Sequence, residues 1–320
     1  MPPPPPSSCP DRQKEMLSVD ATSYAGYRER LRRCLRAYRR RHFAGRGALF
    51  VRGIAGGLVL TGDAAHLNYF DPALYHALTC RPRAFRNLAN ARVLAISVFG
   101  TLARRDGLAL LSQVPCDDGR PLLSAAEARH AALDLQRPPG VPNEPGPPVV
   151  DLWLTAPELR VTILPRLLER GLGPCPEPAR GRCSGDYIPQ AAGCVHTAQG
   201  AAYWQHLPAV AGWGADVDLH PCPMAAALTL ARALLAAADP VPGNAAARCG
   251  TLLVYDARNP AWRPGSRADR LFSQLRQALP PATLLRRTTW QAIAAALAAS
   301  DWYSDLVEYL QAKYGIGCKT

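Results

Sequence analysis

Residues 149–166 read Val149-Val150-Asp151-Leu152-Trp153-Leu154, then Thr155-Ala156-Pro157-Glu158, then Leu159-Arg160-Val161-Thr162-Ile163-Leu164-Pro165-Arg166. Two runs of apolar and β-branched residues flank a short turn that contains proline, the pattern of an antiparallel hairpin. With Thr155–Glu158 as the turn, folding back sets Asp151 roughly opposite Thr162 and Ile163. Strand alternation then carries Leu164 and Arg166 to one common face beside it. An acid at the head of one strand, next to two alternate positions on its neighbour, is the layout of a one-metal or two-metal phosphodiesterase site. Two of the three positions hold the wrong chemistry. Leu164 offers no oxygen, and Arg166 stays charged, so it binds phosphate but is a poor proton acceptor.

With Leu172-Gly173-Pro174-Cys175 a few residues on, this arrangement resembles the PD-(D/E)XK nuclease superfamily. Within it, the likeness is to a bacterial subgroup of restriction-endonuclease-like proteins with a cysteine-bearing stretch after the hairpin. Asp151 matches the first acid, Glu169 the later Glu, and Leu172–Cys175 a Phe-Gly-x-Cys motif with one substitution. Ala202-Tyr203-Trp204, Pro221-Cys222-Pro223 and the helix-like stretch 90–100 extend the likeness over roughly residues 85 to 240. The resemblance implies an α/β fold, with a restriction-endonuclease-like central mixed sheet flanked by helices. It also implies DNA as partner and Mg²⁺-assisted hydrolysis of a phosphodiester, with Asp151 on the metal and Arg166 on the scissile phosphate. Glu169 is the acid that would have to swing in from beyond the strand. The departures at Leu164 and Arg166 point to impaired catalysis, and Pro165 removes a ladder donor from a central strand. The alternative is a catalytically inactive DNA-binding or protein-interaction module.

At 320 residues and 48% hydrophobic content, the chain has ample material for a core. Its formal net charge of +12 permits attraction to polyanions, nucleic acid first, and follows equally from an Arg-rich composition. No apolar run approaches the ~20 residues of a membrane helix. Residues 1–20 are Pro-rich and polar, lack the plan of a signal peptide and are expected to form a disordered tail. Residues 21–320 are expected to form one domain, in a cytoplasmic protein. Ten cysteines are too few for a disulfide scaffold of this size.

Four of them, Cys175, Cys183, Cys194 and Cys222, fall in or beside a loop-rich stretch after the hairpin. Four thiolates suit tetrahedral Zn²⁺ or an iron–sulfur cluster, yet the spacing has no CxxC pair, so buried free thiols fit as well. His196 and His206 are alternates. Nearer the start, Tyr24, Tyr27, Leu31, Cys34, Leu35 and Tyr38 recur at helical spacing, with Arg32, Arg36, Arg39 and Arg40 among the arginines on the other faces. Such a face is either solvated or a row of phosphate contacts.

Local signals complete the plan. Ala48–Arg52 and Leu58–Thr61 read as a hairpin, Asn87 or Asn90 as the cap of a helix running to Leu111, and Ser124 with Glu127 as a capping box opening a helix to Gln136. Arg137–Pro148 reads as a Pro-rich loop. Met224–Ala238 predicts an apolar helix, Thr251–Tyr255 a buried strand ending in Asp256, and Ser266–Leu279 an amphipathic helix. Thr283–Leu285 predicts a short strand, followed by helices over Trp290–Ala299 and Ser304–Tyr314.

Overall fold

The computed structural model describes residues 22–137, 150–189, 194–214, 216–238 and 248–317. The expected tail over residues 1–20 and nearly all of the Pro-rich loop over Arg137–Pro148 lie outside the described residues. The first element is α1 (Tyr24–His42), capped by Ser23, whose hydroxyl accepts from the Gly26 N–H. Tyr27, Leu31, Leu35 and Tyr38 are its buried face, as their spacing predicts. After α2 (Pro72–His76) comes α3 (Ala91–Arg104), where the Asn90 side chain caps the N–H groups of Arg92 and Val93. Expected to run to Leu111, the helix instead stops where Asp106 takes a positive φ of 54° and Gly107 follows.

The sequence predicts a helix over Ala125–Gln136, and only its first turn forms. Helix α4 (Ala125–Arg129) carries the expected capping box of Ser124 and Glu127. The chain then becomes strand β1 (Ala132–Arg137), because Leu133 and Leu135 alternate and find a partner in β2 (Val150–Ala156). Tertiary pairing overrides local helix propensity here. The hairpin expected at 48–61 reduces to one bridge, Phe50 opposite Leu60.

Strand β2 pairs antiparallel with β3 (Leu159–Arg166), as expected, but with a tighter turn. Ala156 pairs with Leu159, leaving only Pro157 and Glu158 between the strands, so Thr162 stands opposite Trp153 and not Asp151. The register moves by two residues, which keeps every position on its face. Beyond β3 come α5 (Val195–Ala198), α6 (Tyr203–Ala211) and α7 (Pro223–Ala238), and α7 crosses over to β4 (Arg248–Tyr255). Helix α8 (Arg267–Ala278) leads to β5 (Thr283–Thr289), and α9 (Trp290–Ala298) and α10 (Ser304–Tyr314) follow. The result is a five-stranded mixed sheet of order β1-β2-β3-β4-β5, antiparallel across β1, β2 and β3 and parallel across β3, β4 and β5.

A core lies on each face. Leu152, Leu154, Val161, Ile163, Leu252 and Val254 pack with α1, α3, α9 and α10. Leu164, Leu253 and Leu285 pack with α6, α7 and α8. Both faces of β3 are therefore covered, and all eight of its residues are buried. Gly250 allows the tight pairing of β4 with β5, since a Cβ there would lie 2.1 Å from the Leu284 carbonyl oxygen.

Candidate functional site

Strands β3, β4 and β5 are parallel, and their carboxyl ends meet where ligands of α/β sheets usually bind. Leu164, where the resemblance would call for an acid, is buried in the second core against α7. Arg166 follows at the strand end, 6% exposed. Its Nε donates to the Gly171 carbonyl at 2.9 Å and its Nη1 to the Pro165 carbonyl at 3.1 Å, while Nη2 has no partner among the described residues. Burial holds the Arg166 pKa below its ordinary value, with the Glu169 carboxylate pulling the other way. Trp290 Nε1 donates to the Arg166 carbonyl, so backbone and side chain are both fixed.

Glu169 is exposed, and its carboxylate turns back on its own chain to accept the Leu167 N–H at 2.6 Å. The structure therefore brings Arg166 and Glu169 to the same strand end but engages each with main-chain groups. Asp151 sits in β2, two residues before Trp153, and its side chain lies outside the described residues.

The best-connected acid at this end of the sheet is Asp256, just past β4 and fully buried. Its Oδ1 accepts from Arg258 N at 3.0 Å, Arg258 Nε at 2.9 Å and Gln291 Nε2 at 2.8 Å, and its Oδ2 from Arg258 Nη2 at 2.6 Å. The Tyr27 hydroxyl donates to the Leu167 carbonyl at 2.7 Å and lies 3.1 Å from Asp256 Oδ2. Burial alone would raise the Asp256 pKa, but the Arg258 guanidinium outweighs it and holds the carboxyl below the usual range. Arg258 in turn donates to the carbonyls of Tyr314 and Gly315. Asp256 ties α1, β4, α9 and the end of α10 together; its place at a strand end suggests the pairing with Arg258, but not Tyr27 or Gln291.

On α1, three of the four arginines singled out are occupied within the molecule. Arg32 and Arg36 lie 4.0 and 3.1 Å from Glu29. Arg39 donates to the Gly57 carbonyl and stacks 4.3 Å over the Phe50 ring. Arg40 is exposed, as are Arg28, Arg33 and Arg41. Arg30, Arg33 and Arg258 line an open cavity of about 480 Å³ along α1.

The cysteines converge more closely than their spacing suggests. Cys175, Cys183, Cys194 and Cys222 all line one small cavity of about 20 Å³, together with His196. Leu172-Gly173-Pro174-Cys175 delivers the first of them. Gly173, at φ +81°, passes so close to α7 that a Cβ would lie 2.0 Å from the Thr229 hydroxyl. Its carbonyl takes the Thr229 N–H just past the break in α7 at Ala227, and Cys175 N bonds to the Met224 carbonyl. Cys194 caps α5, which places His196 on the same wall, and Cys222 immediately precedes α7. Cys175 Sγ lies 3.4 Å from His196 Nε2. Burial raises the Cys175 thiol and pushes Cys222 up to about 11. Among the described residues, no three His, Cys, Asp or Glu side chains are already arranged as a metal-binding group. Reading the sequence alone leaves His196 as an alternate, because nothing in the spacing links it to Cys175 across 21 residues.

No protein-family model, curated protein or solved structure matches this chain. Among the described residues, no helix is long and apolar enough to cross a membrane.

Proposed function

We propose that the chain is a non-hydrolytic binding module on a nuclease-like α/β core, with DNA as its partner. The observation that carries the first half is Leu164. A metal-assisted phosphodiesterase needs hard oxygen ligands at that position, and here the side chain is an integral part of the core packed against α7. Arg166 supports the same reading, since it is held on two carbonyls and cannot serve as a base. The exposed arginines Arg28, Arg33, Arg40 and Arg41 of α1, with the +12 net charge, support a polyanionic partner.

The test is binding of a labelled duplex over a salt series, with and without Mg²⁺. Affinity should fall with salt at a slope of roughly −0.9 per phosphate contacted, and Mg²⁺ should not be required. An Arg33→Glu, Arg40→Glu variant should bind at least tenfold more weakly and with a shallower slope. Mg²⁺-dependent nicking of a plasmid, lost in Asp151→Ala, would reinstate the hydrolytic enzyme. Absence of DNA binding at low salt would favour a second reading, a protein-interaction module, for which Trp302 speaks: it is 84% exposed, beside the Arg105–Asp305 ion pair.

A further inference from the structure

The cysteine-lined cavity stands apart from the strand ends and from the arginines of α1, and no part of the DNA-binding proposal uses it. Three of its features together go beyond a chance gathering of thiols.

The first is convergence from separate segments. Cys175 arrives from the loop after β3, Cys194 and His196 from the start of α5, and Cys222 from the start of α7. Soft donors brought together from distant points of a chain, with no disulfide between them, fit a thiophilic ion. The second is spacing. With zinc–sulfur bonds of about 2.3 Å and zinc–nitrogen bonds of about 2.0 Å at tetrahedral angles, a thiolate and an imidazole on one ion stand roughly 3.5 Å apart. Cys175 Sγ and His196 Nε2 are 3.4 Å apart, so this pair already has ligand-to-ligand separation. The third is size. The cavity of about 20 Å³ is little larger than one water-sized sphere, which needs roughly 10–15 Å³. A single ion fits it.

We propose that Cys175, Cys194, Cys222 and His196 bind one zinc ion in tetrahedral Cys3His geometry, with Cys183 beside the site but not on the metal. Rotation of thiols around the cavity completes a set that one S–N pair already begins. Cys175, Cys194 and Cys222 are each fixed at a helix start, Cys175 through its N–H on the Met224 carbonyl, Cys194 as the N-cap residue of α5 and Cys222 directly before α7, whereas Cys183 lies in the loop between them. Each thiol loses its proton when it becomes a ligand, and those protons go to solvent. The ion ties the loop after β3 and the short helix α5 to the start of α7, next to the stacked rings of Tyr187 and Trp204. Its role is to hold this segment against the second core.

The experiment uses the full chain, expressed with zinc supplied and freed of loose metal by dialysis. Elemental analysis should find about one zinc per chain. Replacement by Co²⁺ should give the visible absorption of a tetrahedral site with thiolate-to-metal charge transfer. Cys183→Ser should leave the cobalt spectrum unchanged, while His196→Ala should shift it and weaken zinc retention against a chelator by at least tenfold. Circular dichroism of each variant separates loss of metal from loss of fold, and the wild-type cobalt spectrum needs no variant. A wild-type chain without zinc, an iron–sulfur absorption, a spectrum unmoved by His196→Ala or one abolished by Cys183→Ser would each overturn the proposal.

Discussion

Two buried ionisable residues make different demands on pH. Asp256 is fully buried and held ionised by Arg258, so its folded pKa lies below its ordinary value of 3.8. The stability it contributes is present above that ordinary value and is lost as pH falls through the lower folded one. Asp256→Asn should destabilise the protein by about 3 kcal/mol near neutrality, because it leaves Arg258 unpaired. Denaturant midpoints should show the gap between wild type and variant closing at acid pH. Lys313 behaves in the opposite sense. Burial lowers its pKa well below 10.5, although Nζ donates to Asn68 Oδ1 at 2.7 Å and contacts the Tyr309 hydroxyl at 2.9 Å. The unfolded chain then holds the lysine proton more tightly, so stability should rise as pH climbs from the folded value toward 10.5. Lys313→Met should flatten that rise below pH 10, where the neighbouring tyrosines do not yet titrate. Neither residue announces itself in the sequence. Asp256 reads as a strand-end acid with Arg258 near by, and Lys313 as one polar position of a helix, since Tyr27 and Gln291 reach the first, and Asn68 the second, from far along the chain.

Among the elements, those with strong local signals were legible. Asn90, Ser124 and Ser266 cap the helices that their positions predict, and the spacing of Tyr27, Leu31 and Leu35 gives the buried face of α1. The hairpin was legible too, but its register turns on whether two or four residues make the turn, and composition does not decide that. Strand β1 was not legible, because Ala125–Gln136 is a good helical sequence and only the docking of β2 makes its second half extended. Gly250 gives the sheet its most sensitive position. Gly250→Ala places a methyl against the Leu284 carbonyl and should cost about 1–3 kcal/mol, read as a lower denaturant midpoint with an unchanged slope. If the midpoint does not move, the close approach of β4 to β5 is not what fixes that edge. Of the candidate site, the sequence exposed the cysteines and offered His196 and His206 as alternates, and only folding brings His196 beside Cys175.

At the level of the whole molecule, one sheet separates two apolar cores of different construction. The first is built on α1, α3, α9 and α10. The second contains α6, α7 and α8, and the cysteine-bearing segment lies along its edge. Under the zinc proposal, a strong chelator should therefore loosen the segment from Cys175 to Cys222 first. Hydrogen exchange should accelerate there while the amides of α3 and β4 stay protected. Uniform acceleration over both cores would mean that the segment is no separate unit of stability.

The clasp formed by Tyr27 imposes an order of events during synthesis. Its hydroxyl rests on Leu167 and Asp256, 140 and 229 residues further along the chain. At about 5–20 residues per second, a ribosome needs roughly 10–50 s to make the second of those partners. For that interval α1, with its row of arginines, lacks these native partners. It waits as a basic amphipathic segment, free to meet chaperones or the acidic surfaces around the exit tunnel, and docks only after β4 has emerged.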